Sequence, residues 1–244
     1  MGSETWLPPP REVRLSAGEV HVWRASLEPD ASTVERLRAT LAEDERGRAR
    51  RFHFERDRLR FVTGRGVLRE LLGRYLGRPP ALIRFAYNEY GKPSLSEEVG
   101  GLRFNSSHSH GVALYAFTLG NEVGVDVELL REDFASVEIA ERFFSRAEVS
   151  ALGSLPAHLR TEGFFNCWTR KEAYIKALGE GLSHPLDSFA VSLAPAEPAC
   201  LISTDEDPSE ADRWTIINLK PFQGYAAALA VRGSTPEVRR WEWS

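Results

Sequence analysis

Residues 163–179 read GFFNCWTRKEAYIKALG, and the periodicity of this stretch predicts one amphipathic helix that Gly179 ends. Lys171 and Glu172 fall inside the apolar stripe of that helix, and Lys176 lies at its edge. Because an unpaired buried carboxylate costs free energy, Glu172 needs a partner or an ion, which favours chemistry over packing. The stripe consists of five apolar side chains at helical spacing: Phe164, Phe165, Trp168, Ile175 and Leu178.

The alternative interpretation of this helix is an ordinary i,i+4 pair between Glu172 and Lys176 on a solvated face. The use of lysine weighs against that interpretation. The chain has 31 basic residues, of which only four are lysine, and two of these four lie on this helix. Since a compact ammonium and a planar guanidinium are not interchangeable beside a phosphate oxygen, the concentration of lysine indicates a binding site.

Length and composition bound the class of protein. A chain of 244 residues with 42% hydrophobic and 10% aromatic residues has room for one large domain or two small ones. No apolar run is long enough to span a bilayer, and residues 1–10 lack the pattern of a secretory signal. Cys167 and Cys200 form neither a disulfide framework nor a metal-ligand spacing. We therefore expect a cytoplasmic protein that does not associate with membranes.

The charge is unevenly distributed along the chain. Residues 46–78 contain eleven arginines and three acidic residues, a balance of +8. Because the whole chain carries −4, the remaining residues carry −12. A basic helical segment on an acidic protein predicts a polyanionic ligand or an acidic protein partner. Nucleic acid is disfavoured as the partner, since no nucleic-acid-binding motif accompanies the arginines.

The order of predicted elements repeats along the chain as a strand, then helices, then strands, once in residues 1–119 and again in residues 120–244. The first half contains a predicted strand at 20–27, helices at 32–51 and 56–77, and strands at 82–87, 102–106 and 112–119. The second half contains a predicted strand at 123–129, helices at 136–144, 146–152 and 159–178, and strands at 189–193, 214–219 and 225–231. Residues 194–212 are predicted to be a surface loop, and residues 238–243 an edge strand.

The sequence GVDVE at residues 124–128 is the second feature that indicates chemistry. On a strand, Asp126 and Glu128 point to one face, with backbones roughly 7 Å apart. Their oxygens are suited to a hard cation such as Mg²⁺, which also takes phosphate oxygens as ligands. Glu172 is a candidate third ligand from the helix. The alternative is a half-exposed strand with an acidic outer face.

Two further motifs contain groups that bind phosphate or a nucleotide. FNSSHSH at residues 104–110 places hydroxyls and imidazoles at the end of a predicted strand, where they can bind phosphate. YGKP at residues 90–93 predicts a rigid turn that carries an aromatic and a basic side chain. Each motif has a structural alternative, since histidine is common at surfaces and a turn needs no function.

Five motifs follow one another along the chain: YGKP at 90–93, FNSSHS at 104–109, GVDVE at 124–128, FFSRAE at 143–148 and WTRKEAYIK at 168–176. Their order resembles that of the Sfp-type 4′-phosphopantetheinyl transferases. The segment GEGLSHPLDSF at 179–189 also looks like the stretch that follows the helix in that family. The resemblance extends from about Arg46 to Phe189, and its specificity lies in the combination of motifs.

The resemblance implies both a fold and an activity. The fold is mixed α/β (α+β), with two lobes at 1–119 and 120–244 related by a pseudo-two-fold axis. Each lobe has helices packed on a small, mostly antiparallel sheet, and the active site lies in the cleft between the lobes. The activity is transfer of the 4′-phosphopantetheine moiety of coenzyme A to a serine of an apo-carrier protein. Adenosine 3′,5′-bisphosphate is released, and the enzyme is expected to be a monomer.

The resemblance also assigns roles to individual residues of this sequence. Mg²⁺ is expected at Asp126, Glu128 and Glu172. Coenzyme A is expected to bind through its diphosphate, its adenine and its ribose 3′-phosphate. The residues expected at the diphosphate are Ser107, His108 and Lys176; those at the adenine are Tyr90, Gly91, Lys92 and Pro93; those at the 3′-phosphate are His108, Arg48 and Arg60.

Catalysis is assigned by the resemblance to a small set of charged residues. Lys171 and Lys176 are expected beside the reacting phosphate, and either Glu148 or Glu172 is expected to take the serine proton. Glu45 is a departure from the pattern, because some relatives carry a phosphate-binding lysine there. That end of the pocket is therefore expected to depend on Arg48 and Arg60.

Two rival functions belong to other classes. A non-catalytic protein that binds coenzyme A or a carrier would not need all of Asp126, Glu128 and Glu172. A Mg²⁺-dependent phosphohydrolase would need a group poised to activate water, and no His or Cys cluster in the sequence provides one. The transferase is therefore the favoured prediction, and the sequence leaves the identity of the carrier open.

Overall fold

The computed structural model describes residues 5–244. The first half of the chain begins with a strand, continues with three helices and ends with four strands. These elements are β1 (Glu19–Ser26), α1 (Ala31–Thr40), α2 (Glu43–Arg50), α3 (Glu55–Leu76), β2 (Phe85–Tyr87), β3 (Pro93–Leu95), β4 (Leu102–Ser109) and β5 (Val112–Leu119).

The second half has the same order of elements and adds one final strand. It consists of β6 (Val123–Leu129), α4 (Val137–Phe143), α5 (Arg146–Ser154), α6 (Ala157–Leu178), β7 (Phe189–Val191), β8 (Leu201–Thr204), β9 (Trp214–Leu219), β10 (Tyr225–Arg232) and β11 (Glu237–Glu242). Among the described residues, no helix has the length and hydropathy that crossing a membrane requires.

The two main sheets have equivalent strand orders. One sheet runs β11-β1-β5-β4 and the other runs β6-β10-β9, while β2-β3 and β7-β8 form two short ribbons. All neighbouring strands are antiparallel except β1 and β11, which are parallel. In each half, the first strand pairs with the last strand of its hairpin, so that β1-β5-β4 corresponds to β6-β10-β9. The predicted fold class, mixed α/β with small antiparallel sheets, is confirmed.

Three of the four apolar clusters found among the described residues hold the helices and sheets together. Trp23 of β1 and Leu71 of α3 belong to a cluster between the first sheet and its helices. Phe164 of α6 belongs to the corresponding cluster of the second half. A third cluster joins the two sheets face to face, with Val22 of β1 and Val125 of β6 among its fully buried members. The two halves are therefore held together by a shared β-sheet core.

The two long helices of 22 residues, α3 and α6, both end at a left-handed glycine, Gly77 with φ of 60° and Gly179 with φ of 83°. Glycine occupies this position because a side chain would strain the backbone there. Another glycine fixes how close α6 lies to the sheet. A methyl group on Gly124 of β6 would collide with the carbonyl oxygen of Ala173, so its absence lets α6 lie directly on the strand that carries Asp126.

Three local predictions are wrong. The helix predicted at 32–51 is two helices, because Glu45 accepts a hydrogen bond from the N–H of Ala42 at 2.9 Å and starts a new helix there. The strand predicted at 82–87 is shorter, since Pro80–Leu82 forms a 3₁₀ turn before β2. The loop predicted at 194–212 contains β8, which pairs with β7, and most of a 3₁₀ helix.

The C-terminal segment is an edge strand, as predicted, but it belongs to the sheet of the first half. β11 runs parallel to β1, with Trp23 opposite Trp241. The two indole rings are in contact, with centroids 4.9 Å apart. The division into lobes at 1–119 and 120–244 stays a prediction, and this strand crosses it.

Candidate active site

The seam between the two sheets is formed by alternate residues of β4. Asn105 accepts a hydrogen bond from the backbone N–H of Val125 at 2.9 Å. Ser107 donates to Asp126 Oδ1 at 2.8 Å, and Ser109 donates to Glu128 Oε2 at 2.7 Å. Because successive side chains of a strand alternate between faces, every second residue of the FNSSHS motif contacts β6. The motif therefore aligns the predicted phosphate-binding strand with the predicted metal-binding strand.

A cleft of about 390 Å³ opens beside this seam. Its walls come from α2, α3 and β4 on one side and from β6 and α6 on the other. Seven of the predicted site residues line it: Arg48, Ser107, His108, Asp126, Glu128, Glu172 and Lys176. Residues predicted from separate motifs thus meet in one cleft between the halves.

The centre of the cleft is an ion pair between Asp126 and Lys176. Lys176 Nζ lies 2.5 Å from Asp126 Oδ1 and also donates to the hydroxyl of Ser107 at 2.9 Å. Asp126 is 1% exposed, yet its second oxygen, Oδ2, has no hydrogen-bond partner in the described chain. An unsatisfied buried carboxylate oxygen is costly, so this atom marks a place for a ligand.

Three carboxylates share this one ammonium, and their pKa values show the excess negative charge. Burial, followed by the charge of Asp126, raises the pKa of Glu172 from 4.5 to about 7. Burial and Asp126 also raise the pKa of Glu128. Burial disfavours the charged form of Lys176, but the charge and hydrogen bond of Asp126, together with the charges of Glu172 and Glu128, raise the pKa of Lys176 above its ordinary value. The cluster therefore carries an excess of negative charge, which a bound cation would neutralise.

The donor set is suited to a hard divalent cation. Within residues 5–244, no three His, Cys, Asp or Glu side chains are placed so that they could hold a metal ion together without moving. Lys176 and Ser107 occupy Asp126 Oδ1, while Ser109 occupies Glu128 Oε2. Asp126 Oδ2 remains unpaired, and Glu172 has no hydrogen bond or ion pair within residues 5–244. Oxygen ligands with this much free charge fit Mg²⁺.

The structure places Lys171 and Glu148, two of the predicted catalytic residues, outside the cleft, and their catalytic roles stay predictions. Lys171 is 0% exposed and Glu148 is 2% exposed, and their charged groups form an ion pair at 2.8 Å outside the cleft. Lys171 also donates to the carbonyls of Leu186 and Phe189, at 2.6 and 2.5 Å. Glu148 accepts from the N–H of Val191 at 2.8 Å. The physical reason is helical geometry, since adjacent residues of α6 point about 100° apart.

The turn at 90–93 also lies outside this cleft. Lys92 donates to the carbonyl of Ala177 at 2.9 Å and lies 3.6 Å from Glu122, so it binds the C-terminal end of α6. Lys92 and Pro93 line a separate cavity of about 380 Å³, and Tyr90 is exposed. Lys92 thus has a structural partner that the sequence did not predict. A role of Tyr90, Gly91, Lys92 and Pro93 at adenine stays a prediction.

The two arginines predicted at the 3′-phosphate are placed differently. Arg48 lines the cleft, with its guanidinium 5.2 Å from the centre of the Phe61 ring. Arg60 is not among the residues that line the cleft, and it donates to Glu28 Oε1 at 2.5 Å. Arg60 is therefore paired with Glu28 outside the cleft, and its role at the 3′-phosphate stays a prediction.

Trp168 and Arg65 are among the eight residues of the cleft that were not predicted. Trp168, Glu172 and Lys176 follow one another at intervals of four residues on α6. This helical spacing alone would have placed Trp168 on the same face as the other two. Arg65 was counted only as one of the eleven arginines of residues 46–78, and no spacing in the sequence distinguished it from the others.

Comparisons with known proteins agree with this architecture. Residues 25–118 match the model described as 4′-phosphopantetheinyl transferase, N-terminal, and residues 122–230 match that of the 4′-phosphopantetheinyl transferase superfamily. The chain is 40% identical over 245 residues to 4′-phosphopantetheinyl transferase HetI of Nostoc sp., with 100% of both chains covered. It is 36% identical over 159 residues to 4′-phosphopantetheinyl transferase Sfp of Bacillus subtilis, covering 65% of this chain and 69% of that relative.

A third relative, a putative 4′-phosphopantetheinyl transferase of Synechocystis sp., is 32% identical over 188 residues, covering 77% of this chain and 75% of that relative. The resemblance seen in the motifs is thereby confirmed along the whole chain. The chain belongs to the 4′-phosphopantetheinyl transferase family.

Proposed function

We propose that the cleft between the two halves binds coenzyme A together with Mg²⁺, and that the enzyme transfers phosphopantetheine there to a serine of an apo-carrier protein. The observation that carries the site assignment is the charge arrangement: three carboxylates face one lysine, with Asp126 Oδ2 unpaired and Glu172 without a partner in residues 5–244. Simple binding of an anionic ligand would favour cations in these places.

Asp126, Glu128 and Glu172 would hold the metal ion, which when bound neutralises charge on the diphosphate. Lys176 and His108 line the same cleft and have N–H groups that can donate to phosphate oxygens. In this type of reaction the protein contributes mainly positioning and electrostatic stabilisation. The cationic side chains of the cleft therefore stabilise the charge that develops on the departing nucleotide.

The serine hydroxyl of the carrier forms a new bond to the phosphorus that bears pantetheine. The bond from that phosphorus to the oxygen shared with the nucleotide breaks, and adenosine 3′,5′-bisphosphate leaves with the bonding electrons. The hydroxyl proton goes to Glu172, the one of the two predicted bases that lines the cleft.

We also propose a monomeric enzyme of the cytoplasm that binds neither nucleic acid nor membranes. One chain supplies both walls of the cleft, so a second copy is not needed to complete it. Both cysteines are unpaired, which suits a reducing compartment. The net charge of −4 disfavours nucleic acid as a general partner.

Intact-mass measurement tests the function. The protein is incubated with coenzyme A, Mg²⁺ and a panel of apo-carrier proteins, with a parallel reaction containing a chelator. We expect one or more carriers to gain the mass of phosphopantetheine on a serine only when the metal is present. Tight binding of coenzyme A with no gain of mass across a broad panel would instead establish a binding protein.

A further inference from the structure

Arg65 of α3 is a buried cation in the wall of the cleft that the proposed chemistry does not use. Its side chain is 12% exposed and lines the cleft together with Ser107 and Lys176. Its Nη1 atom is buried and has no hydrogen-bond partner among residues 5–244. A guanidinium nitrogen removed from water without an acceptor costs free energy, so the structure holds an unused donor at a ligand cavity.

A buried carboxylate holds the other side of this guanidinium. Arg65 Nε lies 3.5 Å from Glu45 Oε1, which makes no hydrogen bond in the described chain. The other oxygen of Glu45 is already used, because it accepts from Arg69 Nε at 2.6 Å and from the N–H of Ala42 at 2.9 Å. One carboxylate thus faces two guanidinium groups, and the local charge is positive.

An aromatic ring further restricts Arg65. The carbon of its guanidinium lies 4.9 Å from the centre of the Phe85 ring, an arrangement that stabilises a cation over the ring face. Glu45 and Phe85 together fix the plane of the guanidinium before a ligand arrives. No carboxylate other than Glu45 lies within ion-pair distance of Arg65 in the described part of the chain.

The contact with Arg65 gives Glu45 a different role from the one that its position in the sequence suggested. Its position in the sequence suggested the loss of a phosphate-binding cation, yet Glu45 is 3% exposed and lies behind Arg65 instead of facing the cleft. Besides Arg48 of α2, this wall therefore has a second cation from α3, and Glu45 of α2 orients that second cation.

We propose that Arg65 binds a phosphate group of coenzyme A through its unpaired guanidinium nitrogen, and that Glu45 is a positioning residue for Arg65. The proposal rests on the proposed function for the identity of the ligand. A phosphate oxygen satisfies the buried donor and neutralises the surplus charge, and the planar fork of arginine suits it. The two candidate groups on the ligand are the ribose 3′-phosphate and the diphosphate.

Calorimetric titration with coenzyme A and with dephospho-coenzyme A tests the assignment. The variant Arg65→Met keeps most of the side-chain volume and removes the charge. We expect it to bind coenzyme A about ten- to a hundredfold more weakly, as for loss of a bond to a charged group. A loss confined to coenzyme A assigns Arg65 to the 3′-phosphate, and an equal loss on both ligands assigns it to the diphosphate.

Thermal unfolding without ligand separates binding from a structural role. Because Glu45 keeps its ion pair with Arg69 when Arg65 is replaced, Arg65→Met should lower the melting temperature only slightly. Arg50→Gln is the matched control, because Arg50 is an exposed arginine of α2 paired with Glu43, and it should bind both ligands as the wild type does. A lower melting temperature with affinity unchanged within threefold (roughly the noise of such comparisons) would show that Arg65 is structural and overturn the proposal.

Two further outcomes complete the test. If Arg65→Met does not fold, Arg65→Lys takes its place, and an affinity equal to that of the wild type would contradict the need for a guanidinium fork. If the wild-type protein itself binds no coenzyme A, the proposed function fails and this inference fails with it. Binding by the wild type that Arg65→Met retains in full refutes the role of Arg65 alone.

Discussion

Lys176 of α6 and Asp126 of β6 form an ion pair in the cleft, with Nζ 2.5 Å from Oδ1, while Oδ2 of the same carboxylate has no partner within residues 5–244. One oxygen is thus held by the protein and the other is left for a ligand. The close packing of α6 on Gly124 brings these two residues together. The protein itself therefore places the carboxylates of the proposed metal site and partly neutralises them with Lys176.

The first prediction concerns the metal carboxylates. Asp126→Asn and Glu172→Gln should each abolish transfer to the carrier and weaken Mg²⁺ binding, because each removes a negative charge at nearly constant volume. Transfer is measured by intact mass and metal binding by calorimetry. Glu162→Gln, the same change at an exposed site on α6, is the control and should behave as the wild type. Normal activity and an unchanged metal requirement in Glu172→Gln would exclude Glu172 as a ligand.

The second prediction is a pH dependence that Glu172 confers on the metal-free protein. Its pKa rises from 4.5 to about 7 on folding, because burial and Asp126 disfavour the charged form. Below pH 4.5 the carboxyl is protonated in both states and contributes nothing. As the pH rises, the unfolded state ionises first, so the folded state loses stability until the penalty is complete above about pH 7.

Glu172→Gln lacks this penalty. Without metal, the variant should therefore melt at a higher temperature than the wild type at about pH 8, and the difference should shrink toward about pH 5. For a chain of this size, each 1 kcal/mol of relieved penalty corresponds to about 2–4 °C. A difference that does not change with pH would mean that Glu172 titrates normally.

The third prediction concerns the buried pair of Lys171 and Glu148. Lys171→Met should destabilise the protein by about 3–5 kcal/mol, because it leaves the carboxylate of Glu148 buried and unpaired. Chemical denaturation measures the loss. Lys176→Met, at the face that lines the cleft, is the contrasting variant and should lower transfer far more than stability. If Lys171→Met were as stable as the wild type but inactive, Lys171 would act on the substrate after all.

The fourth prediction concerns carrier recognition by arginines that lie outside the cleft. Arg46, Arg50 and Arg58 line a different cavity of about 560 Å³, together with Arg38. We expect these arginines to attract an acidic carrier, so the double variant Arg46→Gln/Arg50→Gln should raise KM for the carrier and leave KM for coenzyme A unchanged.

Salt provides the independent measurement. The Debye length falls from about 10 Å at 0.1 M to about 3 Å at 1 M, so steering weakens with ionic strength. The rate with carrier should fall more steeply with salt in the wild type than in the double variant, and more steeply than coenzyme A affinity. Equal salt slopes for carrier and coenzyme A would mean that these arginines do not recognise the carrier.

The fifth prediction concerns the distinction between coenzyme A and its dephospho form. Arg48 and His108 line the cleft, whereas Arg60 is paired with Glu28. Arg48→Ala and His108→Ala should weaken coenzyme A binding roughly ten- to a hundredfold and dephospho-coenzyme A binding much less. Arg60→Ala should have a small effect on both ligands. A large loss specific to coenzyme A in Arg60→Ala would show that Arg60 leaves Glu28 when the ligand binds.

The local pattern of the sequence determined much of the site. The period of two along β6 placed Asp126 and Glu128 on one face, and the period of 3.6 along α6 placed Glu172 and Lys176 on one face. Both assignments hold because such periods follow from backbone geometry within a single element. The order of the motifs identified the family without any knowledge of contacts.

Only the tertiary structure decided which charged residues meet. Lys171 and Glu172 are adjacent in the sequence, yet they face different surroundings. Lys171 is buried in an ion pair with Glu148, whereas Glu172 lines the cleft. Glu45 faces Arg65 because α2 packs on α3, and β11 joins β1 across the predicted lobe boundary. The physical reason is that periodicity defines the faces of an element, whereas burial and pairing depend on which other element covers each face.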